Sequence, residues 1–303
     1  MSVLKIDHIY KSFRNVDAVQ DLSLDLEPNV IFGFLGPNGA GKTTTIRMIM
    51  DIIKPDRGSI FINDQPNTLQ MREKVGYLPE ERGLYRKMKI SELLVFMAEL
   101  KGLSASQSKP KIEYWLERLE LLDWIDKKVE ELSRGMQQKL QFISTIMHEP
   151  DLIILDEPFT GLDPVNSDLI KQIMFEQKQR GATIIFSTHL MEQVEQLCDS
   201  ICLINKGRIV LGGNIRDVKK EFRKNIIRME FEGDATFIKN QELIERYTDH
   251  GTHYEIHPKE SAPIQQILQA AAQEVMISKF ELMEPSLHNI FIDVVTQKER
   301  NGS

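Results

Sequence analysis

The chain has 303 residues, 41% of them hydrophobic and 27% charged, and a formal net charge of -7. This is globular composition with room for one large domain and a smaller one, and the acidic balance argues against bulk binding of nucleic acid, which leaves a basic footprint. Two cysteines, Cys198 and Cys202, cannot build a disulfide framework, no apolar run approaches the roughly 20 residues that cross a bilayer, and Met1–Lys5 lacks the order of a secretory signal.

Val30–Leu35 reads as a buried strand, and a glycine-rich loop leads from it into a helix over Thr44–Asp51. From Ser91 to Leu122 the period turns helical: Leu93, Leu94, Met97 and Leu100 form one apolar stripe, and Trp115, Leu119 and Leu122 repeat the spacing on a second helix. Asp151–Leu155 is a second buried strand and Thr183–Ser187 a third. Ile201–Ile204 and Arg208–Leu211 flank Asn205-Lys206-Gly207, a hairpin turn. Strands alternating with helices predict an α/β domain over residues 1–220 around a largely parallel sheet, with a helical subdomain inserted at about 88–148.

The charged run Lys219–Lys224 marks a boundary, and beyond it the pattern changes. Ile226–Phe231, Tyr254–Ile256 and Val275–Phe280 read as strands, and Gln241–Tyr247, Pro263–Ala272 and Ser286–Val295 as helices, which predicts a small α+β domain over 225–303.

Gly36-Pro37-Asn38-Gly39-Ala40-Gly41-Lys42-Thr43 has the phosphate-loop spacing and stands between a strand and a helix, the context that spacing requires. Glycines let backbone N–H groups turn to the phosphates, and the helix N-terminus adds its positive end. Lys42 would reach the β- and γ-phosphates of a nucleotide, and the Thr43 hydroxyl, with Thr44 beside it, would bind Mg²⁺. Leu152–Leu155 then delivers Asp156, suited to holding Mg²⁺ through water, and Glu157. On an extended chain Glu157 points away from Asp156 and is free to act as general base for water. An acidic pair at a strand end is by itself only a solvated turn; beside a phosphate loop it becomes chemistry.

Leu132-Ser133-Arg134-Gly135-Met136-Gln137-Gln138 lies just before that strand in the chain and opens a helix, which alone is a good N-cap. Taken with Thr160-Gly161-Leu162-Asp163 and with His189 in Ser187-Thr188-His189, it resembles the signature motif of ATP-binding cassette (ABC) proteins, and the likeness runs from about Val3 to Leu211. The resemblance implies a P-loop NTPase cassette that hydrolyses ATP with Mg²⁺. Phe13 would stack on the adenine, and His189 would touch the γ-phosphate. Asp163 would lie at a dimer seam, and Ser133 with the Gly135 backbone would contact ATP held by a second subunit.

Two departures stand out. Glu80 occupies a loop position where many members carry Gln; a carboxylate can still bind Mg²⁺ but cannot donate a hydrogen bond when ionised. Arg134 and Met136 replace commoner signature residues, and Arg134 either adds positive charge opposite the nucleotide or sits solvated. The run Leu78–Tyr85 and the tail Glu284–Phe291 resemble those of bacterial ABC exporters with a separate permease, sodium- and multidrug-efflux ATPases among them. What this implies is a homodimer or ABC-subunit dimer on an integral membrane permease at the cytoplasmic face of the membrane, docked through the groove at Glu80–Met88 and the helical insert, with no nucleic-acid partner. A soluble ABC ATPase of translation or DNA repair is the competing reading, disfavoured by a single cassette without sustained heptads. His250, His253 and His257 lack the companion ligands of a familiar metal site, and Cys198 and Cys202 read as small buried hydrophobes one helical turn apart.

Overall fold

The computed structural model describes residues 2–301 apart from Asn15, 69–73, Arg82, 223–225, 234–235 and 260–261, with backbone only for 296–301. Arg82 in the run Leu78–Tyr85, and Arg223 and Lys224 at the charged boundary, lie outside the described residues. Two units result, one of Met1–Ile215 with Gln297–Ser303 and the other of Arg216–Thr296.

The first unit begins with β1 (Leu4–Phe13) and β2 (Val16–Leu26), an antiparallel hairpin, and β3 (Ile31–Leu35), all five of whose residues are buried. The helix α1 (Lys42–Ile49), β4 (Arg57–Ile62), β5 (Gln65–Pro66) and β6 (Val75–Leu78) follow. Then come α2 (Ile90–Leu100), α3 (Ala105–Arg118) and α4 (Arg134–Ile146), β7 (Leu152–Asp156), α5 (Pro164–Gln179), β8 (Thr183–Thr188), α6 (Met191–Leu197), β9 (Ser200–Asn205) and β10 (Arg208–Asn214).

Two sheets form. One has the order β2-β1-β4-β5; the other, β10-β9-β3-β8-β7-β6, is parallel except for β10. Runs such as Leu152-Ile153-Ile154-Leu155 are apolar without alternation because both faces of a parallel sheet are covered. A common core joins the two sheets: Leu4, Ile6 and Leu22 from the first, Phe32, Phe34 and Ile154 from the second, and Ile46 and Ile49 of α1 between them.

The second unit comprises α7 (Ile215–Glu221), β11 (Ile226–Glu232), β12 (Ile244–Asp249), β13 (Tyr254–Pro258), α8 (Ile264–Glu274), β14 (Met276–Met283) and α9 (Leu287–Asn301), of which α7 begins and α9 ends across the division. Its antiparallel sheet has the order β12-β13-β11-β14, and α8 closes a separate core through Ile267 and Ala271 against Ile227, Met229 and Ile256.

The structure corrects several local expectations. Gln241–Tyr247 is not a helix: Ile244–Asp249 pairs along β13, and that ladder overrides the helical spacing of Leu243, Ile244 and Tyr247. In the insert, Leu93 and Leu94 are buried but Leu100 is 58% exposed, and Leu122 falls in a 3₁₀ turn beyond α3. The buried stripe of α2 is Ile90, Leu93, Leu94 and Ala98, one turn earlier. Cys198 caps α6 while Cys202 lies on β9, so they do not share a helix; burial pushes both thiols well above the usual cysteine range.

Candidate active site

The loop after β3 is shaped by its glycines. Gly36, Gly39 and Gly41 all take positive φ. A Cβ on Gly36 would stand 2.3 Å from the Ile204 carbonyl oxygen, and one on Gly41 would stand 2.4 Å from that of Ala18. Backbone packs on backbone here, which only glycine permits. The Asn205-Lys206-Gly207 turn supports the loop: Lys206 and Gly207 have positive φ, and the Gly207 N–H donates to the Ala40 carbonyl at 2.9 Å while the Gly207 carbonyl accepts from Gln20 at 2.8 Å.

A cleft of about 700 Å³ opens on this loop, lined by Asn38 to Thr44 together with Glu80, Asp156 and Glu157. Lys42 is buried, and its Nζ donates to the Gly36 carbonyl at 2.7 Å and the Pro37 carbonyl at 3.2 Å. Burial lowers the lysine's pKa, while Glu157, Asp156 and Glu80 oppose that shift. The ammonium therefore rests against its own loop.

Parallel pairing sets the carboxylates. In the ladder Asp156 lies opposite Ser187, and Leu35 opposite Thr188, so β8 stands between the phosphate loop's strand and the acidic strand. The Ser187 hydroxyl donates to Asp156 Oδ1, whereas Asp156 Oδ2 is buried without a partner. Burial raises the pKa of Asp156, against the hydroxyls of Ser187 and Thr43, which favour its charged form. An orphaned carboxylate oxygen, the Thr43 hydroxyl and the Glu80 carboxylate make an all-oxygen donor set that suits Mg²⁺.

Glu157 departs from the extended geometry expected of it. The strand ends at Asp156, and Glu157 takes φ 50 immediately before Pro158, a conformation that a pre-proline residue normally avoids. Its N–H donates to the Ser187 carbonyl and its carbonyl accepts from Thr160, so the chain turns rather than continuing. The carboxylate is gripped at both oxygens: Thr188 Oγ1 donates to Oε2 at 3.2 Å, and His189 Nδ1 lies 2.8 Å from Oε1. Strain of this kind clusters at functional sites, where the surroundings enforce it.

Other expected site residues lie elsewhere. Ser133 is the N-cap of α4, accepting from the Met136 N–H at 3.3 Å, and neither it nor Gly135 lines the cleft of its own chain. A Cβ on Gly135 would sit 3.2 Å from the Gly161 carbonyl. Asp163 is the N-cap of α5 and holds Asn166, which in turn accepts from buried Lys139 of α4. Phe13 is 47% exposed under Lys11 Nζ, opposite Val16 in the hairpin register; Val16, not Phe13, lines the cleft. Asp17, Ala18, Gln20 and Lys206 complete the lining, and no spacing signal marks them, since the β1–β2 hairpin and the β9–β10 turn bring them in from afar.

On the second unit, the His250 and His253 rings stack 4.8 Å apart, and His257 Nε2 lies 2.9 Å from Glu255. Among the described residues no group of three or more His, Cys, Asp or Glu is arranged to hold a metal ion. Nor is any helix among them long and apolar enough to cross a membrane.

The chain is similar to known ATP-binding proteins. The family model described as "ABC transporter" matches residues 19–160, and the one described as "ATP-binding protein DrrA1-3-like, C-terminal domain" matches 213–295. The chain is 43% identical over 293 residues to YhaQ of Bacillus subtilis, described as an ABC transporter ATP-binding protein, covering 97% of this chain and 98% of that one. It is 37% identical over 215 residues to the "Nod factor export ATP-binding protein I" of Paraburkholderia xenovorans, covering 70% of this chain and 71% of the other. A solved structure described as the ATP binding subunit of an ABC transporter superposes with a TM-score of 0.69 at 30% identity, over 73% of this chain and 93% of that one.

Proposed function

The chain belongs to the ABC transporter ATP-binding protein family, and on that premise we propose that it is the ATPase of an export system that works as a head-to-tail dimer on a separate membrane permease. The observation that carries the dimer is the division of the site. Lys42, Thr43, Asp156, Glu157 and Glu80 share one cleft, while Ser133 and Gly135 at the N-terminus of α4 do not line it. A helix N-terminus with free N–H groups is an anion site. Offered by a second copy, Ser133 and Gly135 complete the cleft over the γ-phosphate, with Asp163 at the seam and Phe13 beside the base.

In this reading Lys42 leaves the Gly36 and Pro37 carbonyls for the β- and γ-phosphates, which the N-terminus of α1 and the N–H groups of the loop surround. Glu157, aimed by Thr188 and His189, accepts the proton of the attacking water, and His189 keeps its other ring nitrogen for the γ-phosphate. Thr43, Asp156 and Glu80 would hold Mg²⁺, which supplies charge neutralisation for the phosphates when bound. Export is supported by the likeness to the protein described as a Nod factor export ATP-binding protein. The permease would dock over the groove at Glu80–Met88 and the helical insert, where Tyr85 is 52% exposed against Phe96, and would bring the chain to the cytoplasmic face of the membrane.

Glu157→Gln tests the core of the proposal. It removes the base but keeps size and hydrogen bonding, so ATP turnover should fall by about a thousandfold or more, while light scattering should detect an ATP-dependent dimer. Parent-like turnover would remove Glu157 from its role; failure to dimerise with ATP would remove the head-to-tail arrangement.

A further inference from the structure

Helix α4 carries an anomaly on its inner face. Gln138, Gln141 and Thr145 recur at i, i+3 and i+7, where an apolar stripe belongs, and all three are buried. Buried amides cost free energy unless paired, and even here the Gln141 Oε1 has no partner. What the stripe touches accounts for it. Gln138 Nε2 donates to the Pro158 carbonyl at 3.0 Å, one residue past Glu157. Gln141 Nε2 donates to the Pro79 carbonyl at 3.2 Å, one residue before Glu80. The Thr145 hydroxyl donates to the Gln141 carbonyl at 2.9 Å and lies 3.3 Å from the Tyr77 carbonyl, in the strand that leads to Glu80.

Both target carbonyls belong to prolines, whose fixed φ stiffens each loop next to its acidic residue. Neither loop segment is held there by a sheet ladder: β6 ends at Leu78 and β7 at Asp156. The amides of α4 are therefore direct hydrogen-bonded ties between that helix and the two acidic loops of the cleft. The same helix begins at Ser133, whose end is exposed.

We propose that Gln138 and Gln141 are positioning residues that hold Glu157 and Glu80 through the Pro158 and Pro79 carbonyls, and so couple phosphate engagement at the Ser133 end of α4 to the cleft of the same chain. The coupling rests on the head-to-tail reading above, in which Ser133 meets the nucleotide of the other subunit. A rigid helix of 13 residues with a ligand at one end and two tethers along its side passes a small displacement to both loops together. In a dimer this makes each nucleotide sense the other, so that hydrolysis is positively cooperative in ATP.

The test uses the full chain with Gln138→Met and Gln141→Met, which keep side-chain length and remove the donor. Steady-state kinetics, a Mg²⁺ titration, binding of a fluorescent ATP analogue and thermal melting are measured together. For each variant kcat should fall about ten- to a hundredfold, since slight misplacement of reacting groups costs that much. KM for ATP and analogue binding should stay within about twofold, and the Hill coefficient should drop from above one towards one. Gln141→Met should also raise the Mg²⁺ concentration needed for half-maximal rate, through Glu80, whereas Gln138→Met should not. Folded variants that keep the parent kcat and Hill coefficient would overturn the proposal, as would variants whose analogue binding falls in step with kcat. Should a Met variant melt below the assay temperature, Gln→Leu at the same position gives the reading. If Glu157→Gln fails to dimerise with ATP, the head-to-tail reading falls and takes the coupling with it; if it dimerises and the amide variants stay cooperative, the coupling alone falls.

Discussion

His148, just past the end of α4, has both ring nitrogens buried without a hydrogen-bond partner. Burial lowers its pKa from 6.5 to about 4, with Lys101 adding to the shift. The sign follows from linkage: the unfolded chain takes up this proton at higher pH than the folded one, so the neutral imidazole's contribution is complete above pH 6.5 and is lost as pH falls towards 4. Between pH 7 and pH 4.5 the loss from this residue is about 2 kcal/mol. Urea unfolding at the two pH values should show His148→Leu losing less stability on acidification than the parent by that amount. Equal losses would mean that the ring is protonated in the folded state. The residue has no place in the nucleotide cleft, so turnover at neutral pH should be unchanged. Glu157 is the opposite case: a strained backbone of order 1–3 kcal/mol is kept where two neighbours hold its carboxylate.

Among the elements, α4 joins two duties at Ser133. As N-cap it satisfies a backbone N–H, worth about 1 kcal/mol against alanine. As the proposed contact for a second subunit's γ-phosphate it must also avoid negative charge. Ser133→Asp separates the two: aspartate caps as well as serine and suits the helix dipole, so the melting temperature should match the parent's. A carboxylate facing phosphate should nevertheless lower ATP turnover more than tenfold. Thermal melts beside ATPase assays decide it, and parent-like turnover in Ser133→Asp would exclude Ser133 from the nucleotide.

The α/β class, the helical insert and the α+β character of the second unit are legible in the sequence because burial on one or both faces imposes a period. So is the glycine-rich loop between β3 and α1, whose residues are contiguous. The hydroxyls of Ser187 and Thr188 and the amides of Gln138 and Gln141 are not, since their partners lie 20 to 62 positions away in sequence and a polar residue within an apolar run carries no period. Ile244–Asp249 forms a strand for a related reason: Leu243, Ile244 and Tyr247 at helical spacing weigh less than the partner strand β13.

For the whole molecule, the two units have separate hydrophobic cores, one spanning the two sheets around α1 and the other closed by α8 over the second sheet. Among the described residues, those that line the cleft at the glycine-rich loop belong to the first unit. A ligand stabilises what it binds by RT ln(1 + [L]/Kd), about 2.7 kcal/mol at a hundred times Kd, and leaves an independent unit untouched. Calorimetry of the full chain should therefore show two transitions, with unfolding enthalpies of about 150 and about 55 kcal/mol from the usual per-residue value. ADP is the better ligand, because without a γ-phosphate it does not bridge two Ser133 ends. At saturation it should raise the larger transition by roughly 5 to 10 °C and leave the smaller one in place. If both transitions moved together, or merged into one, the two cores would be a single cooperative unit, and occupancy of the cleft would then reach the residues after Arg216 through folding itself.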